Sequence, residues 1–101
     1  MKKIFIVFGH HNVNGSFNSE IRKNFIDEAI KCGHSIDLIN LFEEKDQLPF
    51  YNSNFNPPPK IVLNYRERLE KSDIMFLIGS CHNLRLNAIL ENWVDWVLHP
   101  K

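Results

Sequence analysis

The strongest constraint on this chain is the run Ile4-Phe5-Ile6-Val7-Phe8, apolar throughout and rich in β-branched and aromatic residues. A strand that shows one face to water alternates polar and apolar residues. An unbroken run belongs instead in a strand covered on both faces, the habit of a parallel sheet with helices packed above and below it. The run passes directly into Gly9-His10-His11-Asn12-Val13-Asn14-Gly15-Ser16-Phe17-Asn18, which is dense in turn-forming Gly, Asn and Ser. The opening Met-Lys-Lys superficially resembles the start of a signal peptide. The apolar stretch behind it is too short, and no small-residue cleavage site follows, so a strand over Lys3–Phe8 is expected.

From Asn18 to Lys31 the spacing turns helical. Ile21, Phe25 and Ala29 share a face with Ile26 and Ile30, while Glu20, Lys23, Asp27 and Lys31 lie elsewhere. Gly33 is placed to end this helix, with Lys31 near the negative end of its dipole. Ser35–Leu41 reads as a second short strand. The stretch Phe42–Pro59, which holds Pro49 and Pro57-Pro58-Pro59, reads as a long loop of the kind that is often functional. Helical spacing resumes over Lys60–Lys71 through Ile61, Val62, Tyr65 and Leu69. Ile74-Met75-Phe76-Leu77-Ile78 is another fully apolar strand, followed by a Gly-Ser-Cys-His-Asn loop and a helix over Ala88–Leu98. The order β-α-β-loop-α-β-α implies parallel strands joined by right-handed crossovers.

The 101 residues suffice for one small domain, expected to span residues 1–101. A content of 44% hydrophobic and 24% charged residues fits a globular protein and argues against disorder. Twelve basic and twelve acidic residues balance to zero, which leaves no electrostatic footprint for nucleic acid or a membrane surface. No apolar run approaches the ~20 residues of a membrane span. Cys32 and Cys81, in a chain without an export signal, are expected as free thiols in a reducing cytoplasm.

Two loops could carry chemistry, because ligands of open parallel sheets bind outside the carboxyl ends of the strands. The first ends in Ser16-Phe17-Asn18 where a helix begins. Ser or Asn there caps the helix, and the N–H groups of the first turn favour an anion such as phosphate. His10 would add a donor or a positive charge. Capping alone explains the same residues, and neither the Gly-Lys-Ser/Thr ending of a Walker loop nor G-x-G-x-x-G occurs. His10 and His11 have no carboxylate or cysteine at ligand spacing nearby, so no metal is expected. The second loop, Gly79–Asn87, offers Ser80, Cys81, His82 and Asn83. Adjacent residues rarely orient as nucleophile and base, so Cys81 with His82 does not read as a catalytic pair, and no catalytic residue is assigned. Trp93 and Trp96 read as core or subunit-interface residues.

Three stretches together resemble a known family, the flavodoxin-like NAD(P)H:quinone oxidoreductases. The first strand with His10 and Ser16-Phe17-Asn18 is similar to the family's strand, Ala-His, loop and Ser-Phe-Asn. Gly33-His34 through Asp37-Leu38 to Leu41-Phe42 resembles its Gly-His-x-Val-x-x-x-Asp-Leu-Tyr strand. Ser72-Asp73 and Ala88-Ile89-Leu90 with Trp93-Val94-Asp95 and Val97-Leu98 resemble its Ala-Asp and Pro-Ala-Ile-Leu-Lys-Gly-Trp-Ile-Asp-Arg-Val. The resemblance implies an α/β fold, a flavodoxin-like parallel sheet with helices on both faces, of which this chain supplies the N-terminal β-α-β-α-β-α portion. It implies a flavin, FMN or FAD, and two-electron reduction of a quinone by NAD(P)H in a cytoplasmic homodimer. His10, Ser16, Phe17 and Asn18 carry over as holding the flavin phosphate, and Ser80, Cys81, His82, Asn83 and Leu84 as lying against the flavin ring.

The chain departs from the family pattern in two places. Where the family reads Pro-Leu-x-Trp-Phe-x-x-Pro, this chain has Ser80-Cys81-His82-Asn83-Leu84-Arg85-Leu86-Asn87, without aromatics or prolines. The family's five strands run 2-1-3-4-5, and this chain carries the first three. It is therefore expected to be a short or truncated form whose third strand has an unpaired apolar edge, open to another chain or a partner half.

Overall fold

The computed structural model describes residues 1–10, 15–43, 48–52, 54, 58–79, 81–82 and 85–98, with the side chains of 81–82 and 85–86 left out. The elements run β1 (Lys3–Gly9), α1 (Phe17–Lys31), β2 (Ser35–Asn40), a 3-10 turn (Leu41–Glu43), α2 (Lys60–Glu70), β3 (Ile74–Gly79), β4 (Cys81–His82), β5 (Arg85–Leu86) and α3 (Ala88–Val97). The expected alternation of strands and helices is present. β2 stops one residue short of the expectation, because Leu41 turns into the 3-10 helix and is buried there. The second loop is also more ordered than expected, since its backbone forms a short antiparallel hairpin pairing Cys81 with Leu86 and His82 with Arg85.

β1 is the central strand. It pairs in parallel with β2, from Lys3 against Ser35 to Phe8 against Asn40, and with β3, from Ile4 against Ile74 to Gly9 against Gly79. Because the chain leaves β1 toward β2 and returns to the far side of β1, right-handed crossovers place α1 and α2 on opposite faces. Side chains of β1 accordingly divide by parity. Ile4 and Ile6 pack beneath Phe25, Ile26 and Ala29 of α1. Phe5 and Val7 face the other way, into a cluster with Val62 and Tyr65 of α2 and Leu90, Trp93, Trp96 and Val97 of α3. Both tryptophans are core residues, with Trp93 fully buried, and the Trp93 and Phe5 rings pack in a T-shaped arrangement with centroids 5.9 Å apart.

Two expectations about apolar faces are corrected. β3 is not covered on both faces: Ile74 and Phe76 are each 40% exposed on the α1 side, and β3 forms the sheet's outer edge. One helix is about 10 Å wide and α1 cannot roof strands on both sides of β1. On α1 itself Ile21 and Ile30 are 42% and 58% exposed, while Ala29 is buried and Phe25 and Ile26 are partly buried against the sheet.

The amino-terminal ends of the strands are laced together. Lys3 donates its N–H to Asp73 Oδ2 at 2.8 Å and accepts from the Asp73 N–H at 2.8 Å. The Lys2 N–H reaches His34 Nδ1 at 3.0 Å. Asp73, part of a motif quoted above, thus aligns strand starts at the sheet edge opposite the candidate site.

Candidate functional site

Strand order reverses at β1, and the helices following β1 and β3 leave toward opposite faces. A crevice therefore opens at the carboxyl ends of these two strands, the position where doubly wound sheets take ligands. The crevice is built from the paired residues Gly9 and Gly79. Leu90 of α3 packs into the notch both glycines leave: a Cβ on Gly9 would stand 2.6 Å from Leu90 Cγ, and one on Gly79 2.4 Å from Leu90 Cδ1. Asn87 closes the corner. Its Oδ1 accepts from the Leu90 N–H at 3.2 Å as the N-cap of α3, and its Nδ2 donates to the Gly9 carbonyl. One amide thereby joins the end of β1 to the start of α3.

On the other side of the crevice, α1 begins with a reciprocal cap. Ser16 has extended backbone, its Oγ accepts from the Ser19 N–H at 3.0 Å, and Ser19 Oγ accepts from the Ser16 N–H at 3.0 Å. A serine stands where the usual capping box has Glu or Gln, and its short side chain explains why Ser19 is buried. The cap reading of Ser16 is therefore fulfilled within the chain itself. Phe17, the first helical residue, is 80% exposed, so its ring lies at the surface rather than in the core.

His10 and Asn18 are half-buried. The His10 ring lies 6.4 Å from the ring of Phe8, and on that same ring, 4.5 Å from its centroid, rests the Arg22 guanidinium. Arg22 Nη1 also donates to Asn40 Oδ1 at 2.8 Å. The structure thus gathers His10, the second turn of α1 and the last residue of β2 around Phe8. Beside Arg22 an open groove of about 300 Å³ runs between α1 and β2, lined by Lys23, Ile26, Asp27, Leu38 and Glu43 among others.

Of the residues expected against a flavin ring, Ser80, Asn83 and Leu84 lie outside the described residues, and for Cys81 and His82 only the backbone of β4 is described. Arg22, Asn40 and Asn87 were not singled out from the sequence. Asn87 precedes a helix as Ser16 does, and that cap position was the available signal; Arg22 and Asn40 carry no local signal, since they meet only through the tertiary fold.

Comparison with protein families adds an independent finding. A family model described as a flavodoxin-like fold matches residues 2–101. The chain belongs to this family. Among solved structures, the flavodoxin-like chain is similar to an NAD(P)H:quinone oxidoreductase from Methanothermobacter marburgensis, with a TM-score of 0.83 and 21% identity, covering 95% of this chain and 52% of that one. It is similar to a flavoenzyme NAD(P)H:(acceptor) oxidoreductase from Paracoccus denitrificans at a TM-score of 0.78 and 24% identity, covering 99% of this chain and 52% of that one. A third similar structure is an FMN-dependent NADH-azoreductase from Bacillus anthracis in complex with FMN, at a TM-score of 0.77 and 15% identity, covering 100% and 57%. The flavodoxin-like chain therefore spans about half the length of these solved relatives. Comparison with curated proteins returns no match.

Proposed function

We propose that this chain binds a flavin, FMN or FAD, with the flavin phosphate at the amino-terminal end of α1, and serves two-electron reduction of a quinone-type acceptor by NAD(P)H. The observation that carries this reading is the crevice between β1 and β3, with the capped first turn of α1 on one wall. Backbone N–H groups at a helix start and the positive end of its dipole suit a phosphate. Ser16 and Asn18 supply hydroxyl and amide groups at that end, His10 supplies an imidazole, and exposed Phe17 gives an apolar surface that the core does not use. These residues fit a phosphate ester. Ser80, Cys81, His82, Asn83 and Leu84, on the second loop, are assigned to the ring.

A bound flavin would supply the two-electron chemistry between nicotinamide and acceptor. The chain's own part is to orient and hold: α1 anchors the phosphate end, and the Asn87–Gly9 tie keeps the two walls of the crevice at a fixed spacing. The reading further places the protein in the cytoplasm, as a single domain acting as a homodimer or with a partner half; no helix among the described residues is long and apolar enough to cross a membrane.

A second reading is a flavin-binding or dimerising module without catalysis. The crevice at Gly9 and Gly79 is all that the flavin-binding form of this reading requires. Purified chain mixed with FMN or FAD separates the two. Retained absorbance near ~450 nm after desalting, a property of oxidised flavin, with NADH or NADPH oxidation on adding a quinone supports the enzyme. Retained flavin without oxidation supports the flavin-binding module, and no retained flavin ends both flavin readings and leaves a non-catalytic remnant that folds or dimerises without flavin.

A further inference from the structure

The apolar anchors of α1 are unevenly distributed. Phe25, Ile26 and Ala29, in its carboxyl-terminal half, pack on the sheet. In the first two turns Phe17 is 80% and Ile21 42% exposed, and neither belongs to the buried cluster on the sheet. Ser19 is buried, but its described bonds stay within the cap, to Ser16. Among the described side-chain contacts of this half of α1, Arg22 reaches both β1 and β2. Its guanidinium lies over the Phe8 ring at 4.5 Å and its Nη1 donates to Asn40 Oδ1 at 2.8 Å. Phe8 and Asn40 are register partners, the last pair of the β1–β2 ladder. A single side chain therefore grips both strand ends beside the loop.

We propose that Arg22 is a positioning residue for the anion-binding end of α1: by stacking on Phe8 and holding Asn40, it sets where the first turn of the helix stands relative to the crevice. The ligand half of this inference rests on the flavin reading above. Arginine suits the task because its planar group stacks on an aromatic face while donating in its plane, which an ammonium cannot do at once. The side chain also heads the open groove between α1 and β2 rather than filling the core, so replacing it leaves the two apolar clusters intact.

Arg22→Lys, Arg22→Met and Asn40→Ala test the assignment, with urea unfolding to verify that each variant is folded. In the flavin-free chain, hydrogen exchange of the Ser19 and Glu20 amides is expected to accelerate about tenfold, while Ala29 to Lys31 keep their wild-type rates. With ligand, FMN affinity is expected to fall about tenfold, the scale of a weakened hydrogen bond to a charged group, while riboflavin, which lacks the phosphate, changes less than about twofold. Arg22→Lys is not expected to rescue either readout. Uniform acceleration along α1, or none, overturns the positioning role. An unchanged ratio of FMN to riboflavin affinity overturns its link to the phosphate. If wild-type chain binds neither flavin, the functional reading falls, and the exchange experiment alone decides the role of Arg22.

Discussion

At Gly9 a methyl group has no room, because Leu90 Cγ stands 2.6 Å from where a Cβ would be. The clash falls on a branch point rather than a flexible tip, so relief requires α3 to move. Gly9→Ala is expected to lower stability by about 1–3 kcal/mol, as overpacked sites do. Combining it with Leu90→Ala should give less than the sum of the two losses in urea unfolding, since the residues share one contact. A different residue pair governs acid sensitivity. Arg68 grips Asp37 with two hydrogen bonds, from Nε at 3.0 Å and from Nη2. This lowers the Asp37 pKa, chiefly through the hydrogen bond and against the opposing effect of burial. A carboxylate that ionises more readily in the folded than in the unfolded chain stabilises fully above the unfolded value, about 3.9. That contribution, about 1 kcal/mol for a partly buried pair, is lost as pH falls from there through the lowered folded value. Asp37→Asn should therefore lower Tm at pH 7 and show a shallower loss of Tm between about pH 5 and pH 3.

Among the elements, α1 shows best how far local chemistry reaches. Its ends were legible. Ser16 caps it, and Gly33 ends it with φ at 85°, the His34 N–H bonded to Ala29 O and the Gly33 N–H to Ile30 O. That pair of hydrogen bonds is a Schellman closure. Nothing lies within 4 Å of a Cβ built on Gly33, so Gly33→Ala isolates the backbone term. It is expected to cost about 1 kcal/mol by thermal unfolding. The buried face was less legible: helical spacing marked Ile21 and Ile30 as well as Phe25, but spacing does not report how much sheet lies beneath a helix. Segments whose order comes from distant partners left no pattern. Asn92 brackets the Pro49–Tyr51 backbone, donating to Pro49 O at 3.0 Å and accepting from the Tyr51 N–H at 2.8 Å, and Trp96 Nε1 donates to Pro49 O at 2.8 Å. Part of the stretch read as loop is thus pinned along α3.

For the molecule as a whole, the two apolar runs announced a parallel sheet, and the alternation of elements announced its crossovers. The placement of β1 between its neighbours was available only through the family resemblance, because no local signal encodes strand order. The site divides likewise: Ser16, Phe17 and Asn18 stood out as loop chemistry, whereas Asn87 and Arg22 act through partners 78 and 18 residues away. Protection from hydrogen exchange should follow the sheet order. Amides of Ile4 to Phe8 are expected to exchange slowest, and in β3 slow and fast amides should alternate as they face β1 or the outer edge. Uniform protection along β3 would show its outer edge to be covered in solution.

The central position of β1 also bears on how the chain is made. β1 is synthesised before both of its partners, yet Ile4 pairs with Ile36 and with Ile74. At synthesis rates of roughly 5–20 residues per second, the second partner arrives seconds after the strand that needs it. During that interval the most apolar segment of the chain is half-housed at best. Folding is thus paced by the late arrival of β3 and α3, and a slow stretch of translation before residue 74 would prolong the exposure.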